Sequence, residues 1–411
     1  MAHTIFIIII IVIIFNYLFE RYLDYLNSTY WSNTIPPELQ DIYDAEEYKK
    51  SQEYEKAKQR FSLIVESLSF IAMLAMLMFG GFAFLDKFVR EYTTNPILMA
   101  LLFFGILALV ADILSTPFSI YSIFVIEEKF GFNRTTPKTF VLDKIKGLFL
   151  GAIIGGGILA FIVWIYVSTG EWFWVIAWAA IGLFMIFITM FYSTLIVPLF
   201  NKQTPLEDGE LRVAIEKFAS KVGFKLNNIF VIDGSKRSNK ANAYFSGLGA
   251  KKRIVLYDTL IKDHTVDELV AVLAHEIGHY KKKHTLTGII LSLAQTGLML
   301  FILSLFIGYP VLSQALGADE GSFHMGILAF GLLYSPLSLV LGLVMNVVSR
   351  KNEYAADSFA GINFNPEALI SALKKLSVNN LSNLRPHPIY VFFYYSHPPL
   401  LKRLSALKTQ M

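Results

Sequence analysis

The sequence predicts a mainly α, polytopic membrane protein with seven transmembrane helices and a small α+β region outside the bilayer. The chain has 411 residues, is 55% hydrophobic and has a mean hydropathy of +0.51, which is too apolar for an ordinary soluble protein. Its apolar runs reach the roughly 20 residues that a helix needs to cross a bilayer. The second half of the chain also contains two polar segments, 201–285 and 349–411.

Seven apolar runs define the predicted spans. In chain order they are 4–19, 62–85, 96–118, 147–168, 172–199, 286–308 and 325–348. The first run has the length of a signal peptide. Because residues 1–4 lack a basic region and no small-residue cleavage site follows Asn16, we expect a retained helix.

The distribution of Lys and Arg predicts the orientation. With the N-terminus outside, the inner loops 20–61, 119–146, 200–285 and 349–411 carry 6, 5, 15 and 8 of the 36 basic residues. The outer loops carry only Lys87 and Arg90. Long loops hold more of every residue type, yet the 309–324 loop has no Lys or Arg while the 119–146 loop has five. The positive-inside rule therefore places both polar segments in the cytoplasm.

Composition excludes several kinds of site. The chain has no Cys, so disulfides and thiolate metal sites are excluded, and a bound metal must be held by His, Asp or Glu. No basic stripe with interleaved aromatics is present, so we expect no nucleic-acid partner. No feature indicates an obligate protein partner, whereas the lipid bilayer is an expected one.

Two regions are predicted. Residues 1–200 form an N-terminal membrane domain with five spans, and residues 201–411 form a second domain that includes the last two spans. Within the second domain, residues 206–222 are typical of an amphipathic helix. Residues 228–233 and 253–258 are rich in β-branched residues and predict short strands.

A zinc-binding motif, H-E-x-x-H, occupies residues 275–279. On a helix, residues four apart share a face, so His275 and His279 can bind one Zn²⁺. Glu276 then lies beside the metal, where it can accept a proton from a water that the metal activates. A chance match is the alternative, but only 8 His occur in the chain. The motif therefore predicts a catalytic centre with one Zn²⁺ per chain.

The neighbouring sequence predicts the helix that the motif needs. Thr265-x-x-Glu268 is a candidate capping box. Three lysines, 281–283, suit the negative end of the helix dipole. Gly278 is unfavourable by about 1 kcal/mol relative to Ala. An apolar stripe at helical spacing consists of Val266, Leu269, Val270, Leu273 and Ile277.

Two carboxylates after the seventh span are candidates for completing the site. Glu353 and Asp357 are four apart and share a helix face, on the same membrane side as the His pair. One can bind the metal while the other holds a His N–H or an Arg. The small Ala355 and Ala356 would let two helices approach closely. The alternative is a solvated helix with ordinary charges.

The C-terminal segment offers a further candidate, His397. Ser396 would cap a helix that has Pro near its first turn. His397 would then stand at the helix start, able to donate a hydrogen bond to a developing oxyanion. The alternative is a surface His near a cap. The helix would be packed by Leu400, Leu401, Leu404 and Leu407.

Further motifs carry a resemblance to a known family. They are Glu128-Lys129-Phe130-Gly131-Phe132-Asn133, Thr136, Asp143, Pro198-Leu199-Phe200-Asn201, Leu206-Glu207-Asp208-Gly209-Glu210-Leu211, Asn242-Ala243-Tyr244-Phe245-Ser246-Gly247, Asn352-Glu353-Tyr354-Ala355-Ala356-Asp357 and Ser396-His397-Pro398-Pro399. With the H-E-x-x-H segment, they make nearly the whole chain resemble the integral membrane M48 metallopeptidases of the CAAX prenyl protease type 1 (Ste24-like) kind.

The resemblance implies a role for each residue of the metal site. His275 and His279 are the implied zinc-binding pair, with Glu353 as the third ligand. Glu276 is the implied general base. Asp357 is the implied second acidic residue, which orients His275 or His279 or assists proton transfer.

The resemblance also implies substrate contacts. His397 and Arg403 match residues near the zinc, with His397 placed to touch the reacting substrate and Arg403 to bind it. Asn242 and Tyr244 match an edge strand beside the zinc. A peptide substrate could add to that edge as an extra strand.

The fold implied by the resemblance has seven helices that enclose an intramembrane chamber, with a zincin-like region on the cytoplasmic side. A water-filled chamber would explain Glu66 and Asp112, which lie within predicted spans. A hydrogen bond between buried helices is the alternative for both.

The implied activity is hydrolysis of peptide bonds, with proteins ending in a prenylated C-a-a-X sequence as the candidate substrates. Two alternatives stay open: a membrane quality-control protease with broad substrates, and a transporter with a structural zinc. The membrane stays open between the bacterial inner membrane and the endoplasmic reticulum membrane, and the distribution of Lys and Arg predicts an active site towards the cytoplasm.

Overall fold

The structure is a computed structural model that describes residues 1–32, 34–224, 229–248 and 252–409. Helices dominate it. In chain order they are α1 Ala2–Ser28, α2 Ala45–Met78, α3 Gly81–Tyr92, α4 Pro96–Tyr121, α5 Pro137–Leu150, α6 Gly156–Thr169, α7 Phe173–Leu195, α8 Val197–Phe200, α9 Glu210–Lys221, α10 Asp258–Asp263, α11 Val266–Lys281, α12 His284–Phe306, α13 Val311–Ala315, α14 Phe323–Asn363, α15 Pro366–Asn379, α16 Pro388–Tyr394 and α17 Leu400–Lys408.

Six helical stretches among the described residues are long and apolar enough to cross a membrane. They are Ala2–Ser28, Ala45–Met78, Pro96–Glu127, Pro137–Phe200, His284–Phe306 and Phe323–Asn363. Two of them include π-helical turns, Ser122–Glu127 after α4 and Gly151–Gly155 between α5 and α6. This membrane architecture agrees with the predicted polytopic, mainly α fold.

The 64-residue stretch Pro137–Phe200 makes two passes. It turns at Gly170, whose φ of 54° is in the region that favours glycine. Lys146 near its start donates from Nζ to the Leu199 carbonyl oxygen near its end at 2.8 Å. A straight helix could not bring those residues together, so the chain folds back. The two predicted spans 147–168 and 172–199 are therefore separate, and the count of seven is consistent with the structure.

The predicted span 62–85 is wrong at its C-terminal end. Helix α2 ends at Met78, and Gly80 takes a φ of 67° before α3 begins. Helix α3 is amphipathic and buries Phe82, Leu85 and Val89. The apolar composition continues through the break, so hydropathy alone could not locate it.

Helix α14 continues well beyond the predicted span 325–348. It runs without interruption to Asn363 and has Ser322 as its N-cap. Glu353 and Asp357 therefore lie on the extension of a membrane helix, which fixes their position relative to the bilayer. Both side chains are buried, at 4% and 1% exposure.

A four-stranded sheet lies in the region after α8. Its strands are β1 Gln203–Pro205, β2 Ile229–Ile232, β3 Ala243–Ser246 and β4 Arg253–Tyr257, in the order β1-β2-β4-β3. Strands β2 and β4 are parallel, and the other two pairs are antiparallel. The predicted strands 228–233 and 253–258 are confirmed as β2 and β4, but each ends one residue earlier than predicted, at Ile232 and Tyr257. Asn228 lies outside the described residues.

The predicted helix 206–222 begins four residues late, as α9. The Leu206 N–H donates to the Ile229 carbonyl oxygen at 2.9 Å, which extends the pairing of β1 with β2. Leu206 is thus held by the sheet and is unavailable to the helix.

The core around α11 contains residues from both halves of the chain. Leu269 to Ala274 and Ile277 of α11 are buried in it, together with Leu39, Tyr43 and Tyr48. A second core within the membrane helices likewise draws on α4 and α14. The predicted boundary between residues 200 and 201 stays a prediction.

The two ionisable residues of the predicted spans have partners on other helices. Glu66 of α2 pairs with Arg21 of α1 and also contacts Ser62. Asp112 of α4 pairs with Lys144 of α5. These contacts favour the alternative of interactions between helices. Asp112 and Lys144 also line an apolar cavity of about 1250 Å³ between α4 and α5–α6.

Candidate metal centre

Helix α11 begins with the predicted capping box. The Thr265 hydroxyl accepts from the Glu268 N–H at 3.3 Å, and the Glu268 carboxylate accepts from the Thr265 N–H at 2.8 Å. Ser371 and Lys375 of α15 also bind the Glu268 carboxylate. Burial would raise the pKa of Glu268, but these partners lower it below its usual value. The carboxylate is thus held ionised at the positive end of the helix dipole.

Gly278 lets α11 approach α14. A Cβ built on Gly278 would lie 3.1 Å from the Ala356 Cα and 3.2 Å from the Ala356 carbonyl oxygen. Ala356 is fully buried at this contact. The predicted close approach of two helices at Ala356 is therefore confirmed, and Gly278 is required on the other side of it.

Three side chains from α11 and α14 converge. The Nε2 atoms of His275 and His279 are 3.1 Å apart. Glu353 Oε2 lies 3.5 Å from His275 Nε2, and Glu353 Oε1 lies 3.3 Å from His279 Nε2. The three ligand atoms lie within 4.8 Å of one another. This is the arrangement that two imidazoles and one carboxylate adopt around a single cation.

The electrostatics favour a cation at that point. Burial would lower the pKa of the His275 imidazole, but Asp357 and Glu353 outweigh it and raise the pKa to about 9. The two carboxylates thus stabilise positive charge beside His275. Two nitrogens and one oxygen, without thiolates, form a donor set that Zn²⁺ accepts in catalytic sites, where a fourth position stays open.

Asp357 orients His275. Its Oδ1 lies 2.8 Å from His275 Nδ1, so Nε2 is left to face the other two ligands. Of the two imidazoles that the sequence left open for Asp357, the structure pairs it with His275. A carboxylate in this position fixes the tautomer of a metal-binding His and raises its basicity.

Arg403 of α17 binds Asp357 in turn. Its Nε and Nη2 lie 2.8 and 2.6 Å from the two carboxylate oxygens of Asp357, a bidentate contact. Nη2 is also 3.4 Å from His275 Nδ1. Because Asp357 engages the guanidinium, the structure favours a positioning role for Arg403. Arg403 also lines the cavity at the metal centre, and its predicted substrate contact stays a prediction.

His284 also contacts the site, which the sequence did not predict. It begins α12, and its Nδ1 lies 3.0 Å from Nδ1 of His279. Nδ1 of His279 therefore contacts an imidazole, whereas Nδ1 of His275 contacts a carboxylate. The signal available in the sequence was a His five residues beyond the motif, but α11 ends at Lys281. Helical spacing could not predict the contact, because the reversal at Lys283, with φ 59°, creates it.

Glu276 and His397 face the cavity at the metal centre, which has a volume of about 590 Å³. His397 Nε2 lies 3.3 Å from Glu353 Oε1, although its side chain is 64% exposed. The prediction that Ser396 caps α17 is wrong, because α17 begins after Pro399. Ser396 Oγ instead lies 2.9 Å from Nδ1 of His397 and orients that imidazole.

Strand β3 forms an edge of the sheet beside this cavity. The Tyr257 N–H donates to the Asn242 carbonyl oxygen at 3.1 Å. By the alternation of an antiparallel ladder, the backbone groups of Tyr244 then face β4, while those of Ala243 and Phe245 face outwards. The Tyr244 ring packs with the cluster of Val197, Ile232 and Val255, apart from the core around α11. Tyr244 nevertheless lines the cavity at the metal centre, and its predicted substrate contact stays a prediction.

Asn242 lies at the start of this edge. Its Oδ1 accepts from the Ala243 N–H at 2.8 Å, which covers one of the outward donors. A substrate strand that pairs with β3 would replace the Asn242 side chain at that donor.

Two family models match adjoining parts of the chain. Residues 24–202 match the CAAX prenyl protease N-terminal region, described as five membrane helices. Residues 205–411 match peptidase family M48.

Similar proteins span nearly the same length. CAAX prenyl protease 1 of Saccharomyces cerevisiae is 38% identical, over 95% of this chain and 92% of that protein. The CAAX prenyl protease 1 homolog of Arabidopsis thaliana is 37% identical, over 95% of this chain and 94% of that protein. The crystal structure of S. mikatae Ste24p superposes with a TM-score of 0.91 at 36% identity, covering 98% of this chain and 99% of that one.

Proposed function

Because the chain belongs to peptidase family M48 and is a membrane metalloprotease of the Ste24 type, we propose that it is a zinc endopeptidase. Its proposed substrates are prenylated proteins that end in C-a-a-X. The reaction is hydrolysis that releases the C-terminal aaX tripeptide. One observation carries the proposal: two imidazoles from α11 and a carboxylate from α14 converge within 4.8 Å beside an edge strand.

His275, His279 and Glu353 would hold the metal, and the donor set suits Zn²⁺. The chemistry supplied by a bound Zn²⁺ is polarisation of the scissile carbonyl and acidification of the attacking water. Asp357 holds the proton on Nδ1 of His275, which keeps Nε2 free as a ligand. Arg403 holds Asp357 in that orientation through its bidentate contact.

Glu276 acts as the general base. It follows His275 on α11 and lines the same cavity, so it faces the reacting atoms without joining the ligand cluster. Its carboxylate accepts a proton from the attacking water and returns that proton to the leaving amine.

His397 donates a hydrogen bond to the developing oxyanion. Its Nε2 reaches to 3.3 Å from Glu353, and Ser396 binds its other nitrogen. A donor held in place before the reaction stabilises charge that appears only in the transition state.

The substrate binds as an extra strand on β3. Ala243 and Phe245 offer outward N–H and C=O groups to an extended peptide, and Asn242 yields the Ala243 N–H to it. Backbone pairing of this kind binds peptides with many different side chains, so specificity must come from the pockets at either end.

The protein is proposed to act at the cytoplasmic side of its membrane. The bilayer is the solvent for the spanning helices, and the basic residues of the inner loops support a cytoplasmic site. The bacterial inner membrane and the endoplasmic reticulum membrane both fit that orientation. Prenylated C-terminal segments are the proposed partners, since the protein from Saccharomyces cerevisiae bears the name CAAX prenyl protease 1.

The alternatives are less well supported. A structural zinc in a transporter has no use for Glu276 and normally closes its fourth ligand position. A quality-control protease would share the chemistry and differ only in its substrates.

Peptidase assays on the purified full-length chain in detergent test the proposal. We expect a farnesylated C-a-a-X peptide to be cleaved much faster than its unprenylated twin. A chelator should abolish cleavage, and added Zn²⁺ should restore it. Equal rates on the two peptides would contradict the prenyl specificity, and chelator-resistant cleavage would contradict the metal-dependent mechanism.

A further inference from the structure

A second polar cavity adjoins the metal centre. Its volume is about 650 Å³, and it shares Asn242, His397 and Arg403 with the cavity at the metal centre. The two cavities are therefore neighbouring parts of one groove. The metal-centre cavity follows β3 from Asn242 to Phe245, whereas the second cavity extends the other way, to Lys240.

The second cavity is rich in hydrogen-bond donors. Lys58 of α2 and Lys240 both line it, 4.6 and 5.2 Å from the centre of the Tyr54 ring. Asn383 adds a buried Nδ2 that has no hydrogen-bond partner. Glu55 is the one carboxylate among the described residues that line the cavity.

Both lysines keep donors available. Lys58 pairs with Glu55 at 2.7 Å, and Lys240 pairs with Glu127 at 2.8 Å and binds the Tyr54 hydroxyl at 2.7 Å. An ammonium group has three N–H donors, so neither lysine is saturated by these contacts. Their side chains are 44% and 37% exposed, so both are accessible from the groove.

The direction of β3 relates this cavity to the substrate. Antiparallel pairing is somewhat more stable per residue than parallel pairing. A substrate antiparallel to β3 has its N-terminal part beside Phe245 and its C-terminal part beside Asn242 and Lys240. The residues released by cleavage would thus lie in the second cavity.

We propose that the second cavity binds the free C-terminal carboxylate of the substrate, through Lys58, Lys240 and the unpaired Nδ2 of Asn383. We call it the carboxylate pocket. This inference rests on the proposed function, since a substrate cleaved three residues from its end brings a carboxylate close to the metal centre. Charge-assisted bonds in this pocket would make the cleavage rate depend on the number of residues between the scissile bond and the C-terminus of the substrate.

Matched peptides test the proposal on the full-length chain in detergent. The pair is a farnesylated C-a-a-X peptide with a free C-terminus and the same peptide with a C-terminal amide. We expect kcat/KM to be greater for the acid by roughly tenfold or more, the usual effect of one charge-assisted hydrogen bond. A peptide with one extra residue after X should also lose this advantage.

Substitutions then assign the preference to the pocket. In K58Q, K240Q and N383A we expect the acid-to-amide ratio of kcat/KM to fall towards one, and K240R should retain part of it. K56Q is the matched control on α2, because Lys56 lies over the Trp31 ring and does not line the pocket. Its ratio should equal that of the parent.

Two results would contradict the carboxylate pocket. One is equal cleavage of the acid and amide peptides by the parent, and the other is an unchanged acid-to-amide ratio of kcat/KM in K58Q and K240Q. A purely structural role for Lys240, through its pair with Glu127, lowers both rates together and leaves the ratio intact. Failure of the proposed prenyl specificity has a different signature. Farnesylated and unprenylated peptides would then be cut alike, and the acid-to-amide comparison on the unprenylated pair would still decide the carboxylate proposal.

Discussion

Two carboxylates near the metal centre differ in what they are placed to do. Glu353 lies in the ligand cluster, whereas Glu276 lines the cavity beside it. We expect Glu276→Gln to keep the metal and lose most turnover, because the amide cannot accept a proton. Elemental analysis and peptidase assays on the same preparation check this, with the exposed Glu367→Gln as control. Parental turnover in Glu276→Gln would remove Glu276 from the reaction.

Glu353→Ala, unlike Glu276→Gln, should lose the metal itself. The substitution removes the only oxygen ligand from the cluster of His275, His279 and Glu353, so we expect metal content to fall well below one per chain. Elemental analysis after dialysis against a weak chelator measures the loss, and Glu367→Ala serves as control. Full occupancy would place Glu353 outside the ligand set.

His284 supports a metal ligand through the nitrogen that faces away from the site. Its contact with Nδ1 of His279 fixes which nitrogen of that ring carries the proton. We expect His284→Ala to weaken metal affinity roughly 10- to 100-fold, the usual range for such partners. His284→Asn, which retains an acceptor, should lose less. Competition against a chromogenic chelator gives the affinities, and parental affinity in His284→Ala would contradict the role.

These residues differ in how far sequence alone could predict them. His275, Glu276 and His279 share one helical turn, so their spacing is enough. Glu353 was predictable because α14 carries it from a recognisable span. The position of His284 depends on the chain reversal at Lys283, and the contact of Arg403 with Asp357 depends on packing between distant segments. No local sequence pattern encodes either contact.

At the scale of elements, the contact between α11 and α14 brings the ligands together. Gly278→Ala should gain about 1 kcal/mol in helix propensity. The added Cβ would meet the Ala356 backbone at 3.1 Å, and overpacking of this kind costs about 1–3 kcal/mol. Because backbone atoms cannot rotate away, we expect net destabilisation and weaker metal binding.

Thermal unfolding in detergent, with and without added Zn²⁺, measures this effect. Gly342→Ala is the matched control on α14, since a Cβ there meets nothing within 4 Å. An unfolding midpoint for Gly278→Ala at or above that of Gly342→Ala would show that the two helices have room to separate.

Elements were predictable where local chemistry decides them. The Thr265–Glu268 capping box sets the start of α11 from residues three apart. The end of α2 was missed because the apolar run continues on both sides of Gly80-Gly81, although that glycine pair is a local signal for a break. Leu206 was assigned to a helix on local grounds, but β2 captures its N–H. Tertiary pairing prevails there over local propensity.

At the scale of the whole molecule, both halves of the chain contribute to both cores. Leu39, Tyr43 and Tyr48 pack with α11. Asp86 of α3 binds His324 at the start of α14 at 2.6 Å, where both side chains are buried. Hydropathy was enough to predict the spans. The contacts between segments that are distant in sequence depend on tertiary packing, which composition cannot predict.

The orientation of the molecule can be tested directly because the chain has no Cys. Single cysteines then report their own side of the membrane. Lys217 is exposed on α9, in the segment 200–285 that is predicted to lie inside, and Asp319 is 76% exposed in the 309–324 loop, which is predicted to lie outside. In intact cells that carry the protein in the plasma or inner membrane, we expect a membrane-impermeant maleimide to label Asp319→Cys at once. Lys217→Cys should react only after lysis, because 34 of the 36 basic residues lie in the loops that are predicted to be inside. Labelling of Lys217→Cys in intact cells, with Asp319→Cys protected, would contradict the predicted orientation and place the metal centre outside.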